Sequence, residues 1–107
     1  MKKQKNKVSK VSKKWRRKTY KIIIVNGVIY LSGQIGEVNN VVVEGGIGPE
    51  TKQALGNIKN ILKDMEHSVE DIFKCTCMLS NIKDWPEMSK AYVEFFNREK
   101  LPARSAF

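Results

Sequence analysis

Residues 19–107 predict an α+β domain, a mostly antiparallel sheet with two helices packed on one face. Three observations carry that expectation. Two β-branched runs flank Asn26-Gly27, an apolar stripe with helical spacing runs from Ala54 to Met65, and a second amphipathic stretch from Trp85 to Phe96 separates two strand-like segments.

Tyr20 to Val25 and Val28 to Leu31 are apolar and rich in isoleucine and valine, and Asn-Gly between two such runs marks an antiparallel hairpin. Ser32-Gly33-Gln34 closes the second strand with small residues, and Gly33 suits either a close approach to a ligand or neighbour, or a bulge. Val38-Asn39-Asn40 reads as a turn, with Val41 to Glu44 as a short third strand before Gly45-Gly46.

Gly48-Pro49-Glu50 predicts a helix start, with proline at the first helical position and an acid near the positive end of the dipole. Ala54, Leu55, Ile58, Ile61, Leu62 and Met65 then form a core-facing stripe. Asp71 to Ser80 reads as a strand with Phe73, Cys75, Cys77 and Leu79 on one face and Ile72 and Met78 on the other, so both faces are expected to be covered. Asp84 and Glu87 fit a capping pattern with Pro86 in the first turn, and a helix is expected from there to Lys100, with Trp85, Met88, Ala91, Tyr92, Phe95 and Phe96 as its apolar face. Pro102 opens the last strand.

The chain has 107 residues, the length of one domain, and a formal net charge of +9. Divided by position, the charge changes meaning. Met1 to Lys18 holds ten Lys or Arg and no acid, whereas from Thr19 onward ten Lys or Arg stand against eleven Asp or Glu. Residues 1–18 therefore read as a basic, flexible tail and 19–107 as a single, nearly neutral domain. The tail suits a solvated leader, a weak RNA contact, an anionic surface or an organelle targeting segment. No apolar run reaches membrane-spanning length, since Asn26 and Gly27 interrupt Ile22 to Leu31, so no membrane partner is expected.

Cys75 and Cys77 are two apart in a strand, a spacing that suits neither a normal disulfide nor a Cys-x-x-Cys site. With His67 the one histidine, no zinc ligand set is complete, and neither a metal nor a cofactor is expected. Both thiols read as buried and reduced, which points to the cytoplasm, with a mitochondrion or plastid as the alternative if the tail is a targeting segment. His67, among Glu66, Ser68 and Glu70, reads as a solvated loop residue.

In the final run, Leu101-Pro102-Ala103-Arg104-Ser105-Ala106-Phe107, Arg104 is the single charge. A guanidinium there can meet a planar carboxylate with two parallel hydrogen bonds, or serve as a surface or ion-paired arginine. On residues alone, Arg104 and the Ser32-Gly33 turn are enough to bind a small carboxylate but name no reaction.

Pro102-Ala103-Arg104-Ser105 and Ile29-Tyr30-Leu31-Ser32-Gly33-Gln34-Ile35, with Thr51 to Ile58 and Ala91 to Phe96 between them, resemble the Rid family, the reactive intermediate deaminases of YjgF type. The resemblance covers roughly Tyr20 to Phe107 and implies a chorismate-mutase-like fold closed into a homotrimer with sites at subunit interfaces. It implies hydrolysis of reactive enamines and imines, such as 2-aminoacrylate and 2-iminopropanoate, to 2-keto acids and ammonia. By resemblance Arg104 grips the substrate carboxylate, the backbone at Ala106 helps hold the attacking water, and Ser32 and Gly33 line the pocket.

The family usually continues past this motif into a last strand whose glutamate helps activate the water. That strand is absent here, and the family's pocket tyrosine has no clear counterpart, Tyr20 standing one position away. A chain complete at this length is expected to be a weak or inactive deaminase. Two other readings stay open: an RNA-directed endoribonuclease or translation inhibitor, as some relatives are described, and a non-catalytic trimeric interaction module.

Overall fold

Asparagine and glycine tolerate positive φ at both central positions of a two-residue turn, and such turns match the twist of a strand pair. The computed structural model describes residues 22–107 and has this turn, with Asn26 and Gly27 at φ 49° and 80°. It joins β1 (Ile22–Val25) to β2 (Val28–Leu31) antiparallel, Ile22 opposite Leu31. The tail of residues 1–18 and the expected strand start at Tyr20 lie outside the described residues.

Residues 35–107 form a second compact unit. A second turn of the same kind, Asn39 and Asn40 at φ 52° and 66°, joins β3 (Glu37–Val38) to β4 (Val41–Val42). The third strand thus has a partner in Glu37–Val38, part of which the sequence had marked as turn. The following helix, α1 (Ile47–Asp64), holds this hairpin through Asn57, whose Nδ2 donates to the carbonyls of Ile35 and Glu37, both at 3.1 Å.

Backbone contact completes the attachment. A Cβ on Gly36 would run into the backbone of Glu50, so this position admits only glycine. At Gly33 a Cβ would meet nothing within 4 Å, so no described neighbour requires glycine there.

α1 begins one residue before Gly48, behind Gly46 at φ 87°, and Pro49 sits inside its first turn. The shift is cheap, because the first N–H groups of a helix have no partner within it. The expected stripe is apolar and inward: Leu55, Ile61 and Leu62 are buried, and Ile58 packs on the core.

Lys74–Cys77 forms β5, Trp85–Phe95 forms α2 and Ala103–Ala106 forms β6. β5 and β6 pair in parallel, Cys75 opposite Arg104 and Cys77 opposite Ala106. A parallel pair needs a crossover, and α2 supplies it. Leu55, Met88, Tyr92 and Phe96 are the centre of the core, with Cys75 and Cys77 of β5, Ala106 of β6 and Leu79 just beyond β5 packed against it. One face of the β5–β6 pair therefore meets the helices, in an α+β fold with two antiparallel strand pairs and one parallel pair among the described residues.

Three local expectations are corrected. Phe73 is 65% exposed and Ile72 packs on the core, because a 3-10 turn at Val69–Asp71 resets the alternation before β5 begins at Lys74. Met78, just beyond β5, is exposed too, so no described residue covers this second face. Asp84 makes no side-chain cap: a 3-10 turn at Ile82–Asp84 runs into α2, and the Asn81 side chain accepts from Lys83 N instead. α2 ends at Phe95 and not at Lys100, because Asn97 caps a separate turn at Arg98–Lys100. No helix among the described residues is long and apolar enough to cross a membrane.

Candidate functional site

Strand alternation puts Arg104 and Ala106 on the face of β6 that meets α2, with Ala103 and Ser105 on the exposed face. The Arg104 side chain, half-buried, runs beneath α2. Its Nη1 donates to Ser89 Oγ at 3.0 Å, and its Cζ lies 4.8 Å from the centre of the Tyr92 ring and 5.4 Å from that of Trp85. Trp85, Ser89 and Tyr92 are spaced four and three apart, so one helix face presents a hydroxyl between two aromatic rings. The rings favour a cation by their quadrupoles, and the serine fixes its direction.

Tyr92 also secures the start of β6, since its hydroxyl donates to the carbonyl of Pro102 at 3.3 Å. Burial, with the thiol of Cys75 second, pushes its phenol well above the usual range, so it is a neutral donor. Burial likewise raises the thiols of Cys75 and Cys77, against which Arg104 acts weakly on Cys77. Both thiols are free and half-buried, less enclosed than the sequence suggested.

Arg104 has no carboxylate partner among the described residues: the ion pairs there are Lys52 with Glu94 and His67 with Asp71. Four of its five N–H groups are free of any described acceptor. The backbone adds polar groups. Ala103 N donates to Phe73 O, Phe107 N to Cys77 O and Leu79 N to Phe107 O, so the odd-numbered residues of β6 spend their backbone on β5. The N–H and C=O groups of Arg104 and Ala106 therefore point to the opposite edge, which no described strand pairs. A cation and a row of unspent backbone groups stand together there, an arrangement able to bind a small carboxylate.

Of the other site residues expected from sequence, Ser32 follows β2 half-buried, its carbonyl accepting from Gln34 Nε2 at 3.3 Å, and Gly33 is exposed. Trp85, Ser89 and Tyr92 were not anticipated beside Arg104, although their helical spacing carries the signal. A groove of about 660 Å³ lies between α1 and α2 and includes Lys52, Lys90, Glu87 and Glu94 but none of the residues around Arg104. It is open, and its charges are partly paired on one another, Lys52 with Glu94 at 3.2 Å. Among the described residues no three His, Cys, Asp or Glu side chains gather as metal ligands.

The family model described as Endoribonuclease L-PSP matches residues 14–107. The chain belongs to the Rid family. Over 87 residues this Rid protein is 36% identical to the human 2-iminobutanoate/2-iminopropanoate deaminase, covering 79% of the chain and 63% of that protein. Over 83 residues it is 40% identical to the Schizosaccharomyces pombe protein mmf1, mitochondrial, covering 78% of the chain and 51% of that protein. The crystal structure of the yeast protein YEO7 superposes with a TM-score of 0.74 at 36% identity, covering 80% of the chain and 69% of that structure. The chain thus spans about half to two thirds of the length of these curated relatives.

Proposed function

We propose that this Rid protein hydrolyses reactive enamine and imine acids, 2-aminoacrylate and 2-iminopropanoate, to 2-keto acids and ammonia. The observation that carries the reading is Arg104: a guanidinium held from one side by Ser89, Tyr92 and Trp85, with no carboxylate partner among the described residues. The deaminase name of the human relative supports the reaction class.

The chemistry asks little of the protein beyond placement. An iminium carbon is already electrophilic, so fixing the carboxylate on Arg104 and a water beside that carbon supplies most of the acceleration. The guanidinium offers its remaining N–H groups to the carboxylate in a fork, and the backbone at Ala106 holds the water at the unpaired edge of β6. 2-Aminoacrylate enters as its tautomer 2-iminopropanoate, a proton moving from nitrogen to C3. Water then adds to the C=N carbon and gives one proton to nitrogen, and the adduct's hydroxyl gives up the second as ammonia leaves and the keto acid forms. In the same reading Ser32 and Gly33 line the pocket, and a homotrimer builds its sites at subunit interfaces. The protein works in the cytoplasm or, as the mitochondrial name of the Schizosaccharomyces pombe relative suggests, in an organelle.

The test generates 2-aminoacrylate in place with a dehydratase and follows keto-acid release. Acceleration that depends on Arg104 supports the proposal, and no acceleration rejects it. The basic run at Met1 to Lys18, with the ribonuclease wording of the family model, favours RNA binding as the second reading. Under that reading RNA affinity falls steeply with salt and vanishes when residues 1–18 are deleted.

A further inference from the structure

Cys75 and Cys77 are the feature nearest Arg104 that imine hydrolysis leaves unused. Being two apart in β5, they project from the same face, and that face is the one Arg104 shares. Cys75 is the cross-strand partner of Arg104 itself, and Cys77 that of Ala106. Their Cβ atoms stand about 7 Å apart along the strand, too far for a disulfide, which needs about 4 Å.

Two sulfurs at this spacing can lean toward each other along the strand and grip one ion between them. Thiolate pairs select soft monovalent ions such as Cu(I), which accept two collinear sulfur ligands, over zinc, which takes four ligands in a tetrahedron. Charge decides the rest. Two thiolates and one Cu(I) leave a net charge of −1 in a half-buried place, and the Arg104 guanidinium, without a carboxylate partner among the described residues, supplies the compensating +1.

We propose that Cys75 and Cys77 form a two-sulfur site for a soft monovalent metal ion, Cu(I) in the first instance, neutralised by Arg104. Binding exchanges two S–H bonds for two S–Cu bonds and releases two protons to solvent, with no change of oxidation state. Because the bis-thiolate complex takes up the charge of Arg104, it opposes the binding of a carboxylate there; this second consequence rests on the carboxylate reading above.

The experiment titrates the reduced, full-length protein anaerobically with Cu(I) buffered by bicinchoninate, with circular dichroism as the check on folding. One Cu(I) per chain is expected, with two sulfur neighbours by X-ray absorption on the unaltered protein. Cys75→Ser and Cys77→Ser are each expected to abolish tight binding, and Arg104→Ala to weaken it about tenfold. Uptake that persists in the double serine variant, or absorption spectra without two sulfur ligands, overturns the site. A Cu(I) affinity unchanged in Arg104→Ala overturns the role of the arginine. Pyruvate affinity, measured with and without Cu(I), separates the two readings: failure of pyruvate to bind in either condition sinks the carboxylate assignment while the metal titration stands independently.

Discussion

Arg104 and Ser89 meet at 3.0 Å, a guanidinium on the last strand hydrogen-bonded to a hydroxyl on the helix that crosses over to it. The contact ties two segments of one strand-helix-strand unit at the point where the cation stands. It fixes the guanidinium direction while spending one N–H group, so in the proposed hydrolysis Ser89 is a positioning residue. Ser89→Ala is expected to raise KM about fivefold with kcat little changed, since an ordinary intramolecular hydrogen bond contributes about 1 kcal/mol net. Ser89→Thr keeps the hydroxyl and is expected to restore KM; steady-state kinetics on 2-aminoacrylate decide it.

Lysine at position 104 would keep the charge and lose the fork. One charge-assisted hydrogen bond is worth about 1.5–3 kcal/mol, so Arg104→Lys is expected to weaken pyruvate binding about tenfold or more in a calorimetric titration. Equal affinity for the two proteins would mean that a point charge suffices.

Met88 is the most enclosed side chain of the core, 2% exposed and next to Leu55, Tyr92 and Phe96. Truncation leaves a cavity that α1 and α2 cannot close, so Met88→Ala is expected to cost about 2–5 kcal/mol. A fall in the urea midpoint with an unchanged slope would record it.

Tyr92, Cys75 and Cys77 share the sign of their shifts, each an acid that burial keeps neutral in the folded state. Their folded values lie above the ordinary 9.0 of a thiol and 10.0 of a phenol, so the unfolded chain loses its protons first. The stability that the neutral groups contribute is therefore complete below those values and declines as pH climbs through 9.0 for the thiols and 10.0 for the phenol. Urea midpoints measured across that alkaline range should fall, and Tyr92→Phe should flatten the upper part of the fall. A Tyr92→Phe protein with an unaltered slope would remove the phenol from the account.

How much of this was legible in the sequence depends on the range of the interaction. The Asn26-Gly27 hairpin and the α1 stripe follow from local rules, and both stand where the spacing put them. Phe73 and Ile72 exchanged places because a short turn changed the phase, which strand periodicity alone does not register. Asn57 lies outside the apolar stripe and periodicity gives it no role, yet it carries the β3–β4 hairpin through carbonyls twenty and more residues away. Around Arg104 the arginine was visible as a lone charge in a small apolar run. Trp85 and Tyr92 were counted as core and Ser89 was passed over, since helical spacing says which side chains share a face but not which later strand lies beneath them.

A crystal structure of the assembled protein soaked in pyruvate tests the central claim most directly. The expected result is the pyruvate carboxylate on two N–H groups of Arg104, with the guanidinium still on Ser89 Oγ and the keto carbon toward the backbone at Ala106. Pyruvate bound elsewhere, with Arg104 turned to bulk solvent, would contradict the account.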